Sequence, residues 1–158
     1  MTSAAFRLSI PGSVMSGVRS HLEAGYPLEA CGLLIGRIDA GAYSAREFRP
    51  MRNTVVDRAR DRYQLDPREQ LAVQRDAHGR GLEIIGIVHS HPDHPARPSQ
   101  FDTDRALEIR DSFSAYVVAA VQGGRMVEAG AFRLDETSHL FEAIPLVIDD
   151  AGEKPPPG

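Results

Sequence analysis

Residues 87–104 read IVHSHPDHPARPSQFDTD, and the fold follows from how this stretch must be carried. Ile87 and Val88 close the apolar, β-branched run 82–88, whose composition is that of a strand. The strand leads directly into His89-Ser90-His91-Pro92. Side chains alternate faces along a strand, so His89 and His91 share one side and Ser90 faces away. After a proline-rich loop over 92–98, Ser99 has the position of an N-cap, opening a helix that reaches about Arg110. Asp102 then lies in the first turn, where a carboxylate leans back towards the strand end. Two imidazoles and one carboxylate suit tetrahedral zinc with a fourth position left to water.

Working outward, Asp66-Pro67 opens a helix running to about His78, with Asp66 as N-cap, Pro67 at the first position and Glu69 in the first turn. Upstream, the spacing predicts a strand over Leu8–Ile10 and a helix capped by Ser13, with Val14, Val18 and Leu22 on one face. A buried strand is expected over 31–36 and another over 42–50. Downstream, strands are expected over 116–121, 126–134 and 141–148, the first two joined by a turn at Gln122-Gly123-Gly124-Arg125. The mixed order of elements gives an α+β domain, a sheet with helices around it, over residues 1–150. Residues 151–158 read as a disordered proline-rich tail.

Composition narrows the chemistry. The chain of 158 residues suits one domain, and one cysteine (Cys31) excludes an internal disulfide framework or a multi-cysteine zinc site. Any metal must therefore be held by histidine and carboxylate. A net charge of −4 gives no global basic field for nucleic acid. No apolar run is long enough to cross a bilayer, and the first residues do not read as a signal peptide, so a cytoplasmic location is expected. Cys31 reads as a packed thiol, and His21, His78 and His139 read as surface residues. His94 reads as a rim or substrate-contact residue. The six arginines of 46–62 read as a solvated strand edge and loop, with contact to a protein substrate as the alternative.

The run H-x-H, seven residues, S-x-x-D is filled by His89, His91, Ser99 and Asp102, and it resembles the JAMM motif of the MPN-domain (JAB1/MPN/Mov34) metalloproteases. Glu29, in PLEACGLLIG (27–36), matches the glutamate that this family carries upstream. The resemblance implies a cytidine-deaminase-like mixed sheet flanked by helices and one zinc ion per chain with a bound water, held by His89, His91 and Asp102. It implies that Glu29 is general base and then general acid, and that the Ser99 hydroxyl helps stabilise the oxyanion. The implied reaction cuts the amide or isopeptide bond after the Gly-Gly tail of a ubiquitin-like or sulfur-carrier protein, the tail lying along a sheet edge near residues 48–56. A non-catalytic MPN scaffold and a JAB-type DNA-repair-associated protein are the competing readings. The intact ligand set argues against the first, and the acidic balance gives the second no support. Monomer and homodimer both stay open.

Overall fold

Eight strands form one sheet, and the two histidines of the H-x-H run lie inside one of its central strands. The computed structural model describes residues 6–149. In chain order the elements are β1 (Arg7–Pro11), α1 (Gly12–Gly25), β2 (Cys31–Asp39), β3 (Ala42–Met51), α2 (Pro67–Gly79), β4 (Glu83–Pro92), α3 (Gln100–Glu108), β5 (Ala115–Gln122), β6 (Arg125–Asp135), β7 (Leu140–Ile144) and β8 (Leu146–Asp149). The strand order is β7-β6-β5-β4-β2-β3-β1-β8. Strands β4 and β5, β1 and β3, and β1 and β8 pair parallel, and the remaining neighbours pair antiparallel. The tail expected over 151–158 lies outside the described residues.

Alternation along the strands sorts the core into two clusters. Leu34, Val88, Val117 and Ala119 pack with Val18 and Leu22 of α1. Cys31, Leu33, Ile35, Ile87 and Tyr116 pack with Val73 and Ala77 of α2 and Ala106 of α3. Both α1 anchors are fully buried, and each such side chain contributes about 1.5–3 kcal/mol. Among the described residues no helix is long and apolar enough to cross a membrane.

Two local expectations are corrected. Ser13 does not cap α1: the helix starts at Gly12 after Pro11, with no side-chain bond at its N-cap. The segment 141–148 is not one strand, because Pro145 has no N–H for a ladder and divides it into β7 and β8. Those two strands lie at opposite ends of the strand order though one residue joins them, so the sheet curls until its ends meet. Pro145 seals the join by accepting the Leu8 N–H at 2.9 Å. The strand that carries the histidines, β4, runs through them to Pro92, as their alternation requires.

The β2–β3 ladder shifts register between Ile35 and Gly36, bringing the two backbones close. A Cβ on Gly36 would stand 2.0 Å from the Ser44 carbonyl oxygen, and a backbone atom inside a ladder cannot step aside. Gly36→Ala is therefore expected to cost about 2 kcal/mol or more, read as a fall in the chemical-denaturation midpoint at unchanged slope.

Candidate metal centre

β4 holds the histidines between two neighbours. His89 is paired with Cys31 of β2 and Val118 of β5, and His91 with Ala120. Ser90 faces away, as the alternation requires, and its hydroxyl accepts the Ala30 N–H at 2.9 Å. The third member arrives on α3, where Ser99 is the N-cap of a capping box. Its hydroxyl accepts the Asp102 N–H at 3.1 Å, and Asp102 Oδ2 accepts the Ser99 N–H at 2.8 Å. That reciprocal pair fixes the carboxylate over the strand end.

The three side chains converge. His89 Nε2 lies 3.2 Å from His91 Nε2 and 3.2 Å from Asp102 Oδ2, and His91 Nε2 lies 3.1 Å from the same oxygen. Tetrahedral ligands on zinc at its usual bond lengths stand about 3.3 Å from one another, so the triangle has the dimensions of three corners of such a site. The His91 Nδ1–H donates to the Pro95 carbonyl at 2.9 Å, leaving the Nε2 lone pair for the triangle. The ring of Tyr63 stacks on His89 with centroids 4.4 Å apart. All three members are buried, and together they could hold a metal ion.

Burial also sets the protonation of the site. Burial pushes the His89 imidazole down, against the pull of Asp102, towards the neutral form that binds metals. Burial pushes the Asp102 carboxyl up, but hydrogen bonds from both histidines and from the Ser99 backbone outweigh it and hold the group well below the usual carboxylate range. Glu29 behaves in the opposite way. Burial, then repulsion from Asp102 and Asp61, pushes its carboxyl up to about 9. It is 5% exposed, and its Oε1 has no hydrogen-bond partner among the described residues.

Glu29 and His91 line one cleft of about 440 Å³, together with Ser99, Arg58, Arg62 and Phe101. The sequence-predicted residues Glu29, His89, His91, Ser99 and Asp102 are thus brought to one end of the sheet. His94 is exposed on the cleft rim. Cys31 is a packed thiol whose pKa burial, then Glu29, pushes up to about 12. His78 and His139 are exposed, but His21 is not a plain surface residue, since its Nε2 lies 2.9 Å from the Cys31 carbonyl and its ring meets Phe48. Within 46–62, Arg49, Arg52 and Arg58 form ion pairs with acids, and Arg62 lies over the Phe101 ring. Ser90, Asn53 and Tyr63 were not read as site residues. Only Ser90, between the histidines, carried a positional signal.

A His-x-His pair in a buried strand, completed by a carboxylate from the next helix, is an arrangement of donors that could hold a metal ion. The chain belongs to the family described as prokaryotic homologs of the JAB domain, whose model matches residues 11–134. A desampylase from Haloferax volcanii is 30% identical over 148 residues, spanning 91% of this chain and 99% of that protein. A desampylase from Pyrococcus furiosus is 32% identical over 77 residues, 49% of this chain and 51% of its own. The solution structure of a Desulfitobacterium hafniense protein superposes with a TM-score of 0.77 at 27% identity, covering 90% of this chain and 93% of that one. A Salinibacter ruber protein superposes with a TM-score of 0.68 at 30% identity, covering 90% and 92%.

The raised Glu29 pKa gives a stability test in metal-free protein. A carboxyl with a raised folded pKa gives its full stability below its ordinary value near 4.5 and loses it as pH climbs towards about 9. Glu29→Gln has no such proton to lose. In chelator, the variant and the parent should melt together at acid pH, and the variant should be more stable by about 1 kcal/mol or more at pH 8.

Proposed function

We propose that this chain is a zinc-dependent isopeptidase or amidase that cuts the bond after the Gly-Gly tail of a ubiquitin-like or sulfur-carrier protein. The observation that carries this reading is the placement of a buried Glu29 carboxyl, whose Oε1 has no hydrogen-bond partner among the described residues, in the same cleft as His91 and Ser99, beside a metal-sized triangle of donors. The desampylase relatives, named for removing a ubiquitin-like modifier, support the substrate class.

His89, His91 and Asp102 would hold the zinc, which when bound supplies a Lewis acid for the scissile carbonyl and acidifies water. The other steps belong to the protein. Glu29 accepts a proton from the attacking water as the water oxygen bonds to the carbonyl carbon. It returns that proton to the nitrogen as the C–N bond breaks, so the amine leaves neutral. Asp102 repels the Glu29 carboxylate, and a positive charge placed against Asp102 Oδ2 opposes that repulsion, so a loaded site favours the ionised base. The Ser99 hydroxyl spends its lone pair on the Asp102 N–H, which leaves its own proton free to donate to the developing oxyanion.

Substrate would enter as an extended tail. β1 pairs with β3 only at Ala42–Ser44, so among the described residues no strand covers the outer edge of β3 beyond Ser44. That edge leads towards residues 48–56 and suits strand addition by a Gly-Gly tail. The intact ligand set gives a non-catalytic scaffold less support.

The test is cleavage of carrier fusions ending in Gly-Gly, with the products weighed by mass spectrometry. Purified protein should contain one zinc per chain, and chelation should abolish the cut until zinc is restored. Glu29→Gln should keep the zinc and lose activity by about a hundredfold or more. Wild-type rates in that variant would remove Glu29 from the chemistry.

A further inference from the structure

Asn53 belongs to none of the sequence motifs, yet its side-chain amide makes four hydrogen bonds to backbone. Nδ2 donates to the carbonyls of Glu29 and Arg62, each at 3.0 Å. Oδ1 accepts the N–H of Val55 at 3.0 Å and of Gln64 at 3.1 Å. Two carbonyls and two N–H groups leave one orientation for the amide, since the reverse would set donor against donor. The bond to Val55 is an ordinary Asx turn. The bond to Glu29 is not local: it reaches back across 24 residues to the last turn before β2.

The same loop takes the other side of Glu29, whose N–H donates to the Ala59 carbonyl at 2.6 Å. The next residue is held by β4. The Ala30 N–H donates to Ser90 Oγ at 2.9 Å, and the Ala30 carbonyl accepts the Ser90 N–H at 2.9 Å. Every backbone polar group of Glu29-Ala30 is therefore bonded, half to the loop and half to the residue between the two histidines. Tyr63 stands between Arg62 and Gln64, both bonded to Asn53, and its ring lies on His89.

We propose that Asn53 is a positioning residue: its amide fastens Glu29 and the Tyr63–His89 stack to one loop, so the proton-transfer group and the donor triangle keep a fixed relation. The proposal rests on the reading of Glu29 as the group that moves the proton. A base displaced by an ångström loses about a hundredfold in rate, so a clamp on its backbone acts on turnover rather than on substrate affinity.

Asn53→Asp separates this role from simple loop stability. It keeps the acceptor bonds to Val55 and Gln64 and replaces the two donations by a carboxylate oxygen facing two carbonyls, while Asn53→Ala loses all four bonds without adding charge or that repulsion. The full-length variants and parent are compared in three ways: kcat and KM on a Gly-Gly fusion with zinc loaded, Tm, and amide exchange at Glu29 in metal-free protein. Both variants should lose about 10- to 100-fold in kcat with KM within about threefold, and exchange at the Glu29 N–H should be faster. Asn53→Asp should melt within a few degrees of the parent. The proposal is overturned by an Asn53→Asp protein with parental kcat and parental exchange at Glu29. It is equally overturned if kcat falls only in step with Tm. Should Asn53→Ala fail to fold, Asn53→Asp decides. Should the parent cut no Gly-Gly fusion, the functional reading fails instead, and exchange at Glu29 together with the His89 ring chemical shifts still decides the clamp.

Discussion

Four ionisable side chains, Glu29, His89, His91 and Asp102, are buried together at one end of the sheet, and the surrounding structure answers to that constraint. Burying such groups is unfavourable unless hydrogen bonds or a counter-charge compensate. The capping box and the two imidazoles compensate Asp102. Pro95 compensates one edge of His91. Among the described residues His89 Nδ1 and Glu29 Oε1 have no hydrogen-bond partner, and in a native protein such exceptions concentrate where chemistry is done. The arrangement is one that a cation held by His89, His91 and Asp102 would stabilise further. Glycine at 36, the curl of the sheet and the loop over 53–64 are the scaffold that keeps it from relaxing.

The metal triangle was legible because it is local. Strand alternation places His89 beside His91, and a helix capped eight residues after His91 brings Asp102 back over them, so spacing alone specifies the geometry. The helix caps at Asp66 and Ser99 were legible for the same reason, being bonds of two or three residues' reach. Glu29 is 60 residues before His89, brought to the same end of the sheet by long-range pairing, and no periodicity in the chain announces that pairing. Only the family resemblance pointed to it. Asn53 and Tyr63 act through backbone carbonyls and ring stacking, which leave no pattern in a single sequence.

The two errors of element reading have different causes. Ser13 is a good capping residue on intrinsic grounds, but Pro11 pre-sets the chain for a helix two residues earlier. Reading 141–148 as one strand underweighted Pro145, a signal present in the sequence whose consequence was global. Dividing that run sends its second half round to the far side of the sheet, where it pairs with the first strand of the chain.

The stretch of β3 that no strand covers among the described residues bears on self-association. A bare strand edge is a template for any extended chain, including the same edge of another molecule. Pro50 is paired with Gly32 inside the β2 ladder, so its missing N–H must point outward, and the free edge lacks a donor there. Arg46 projects from the same stretch into solvent. Two copies meeting edge to edge would each present a gap in the hydrogen-bond ladder and an arginine to the other, whereas a glycine tail brings neither side-chain bulk nor charge. On the proposed reading the edge would discriminate by what it refuses, resisting stacking into larger aggregates while staying open to a thin, uncharged visitor.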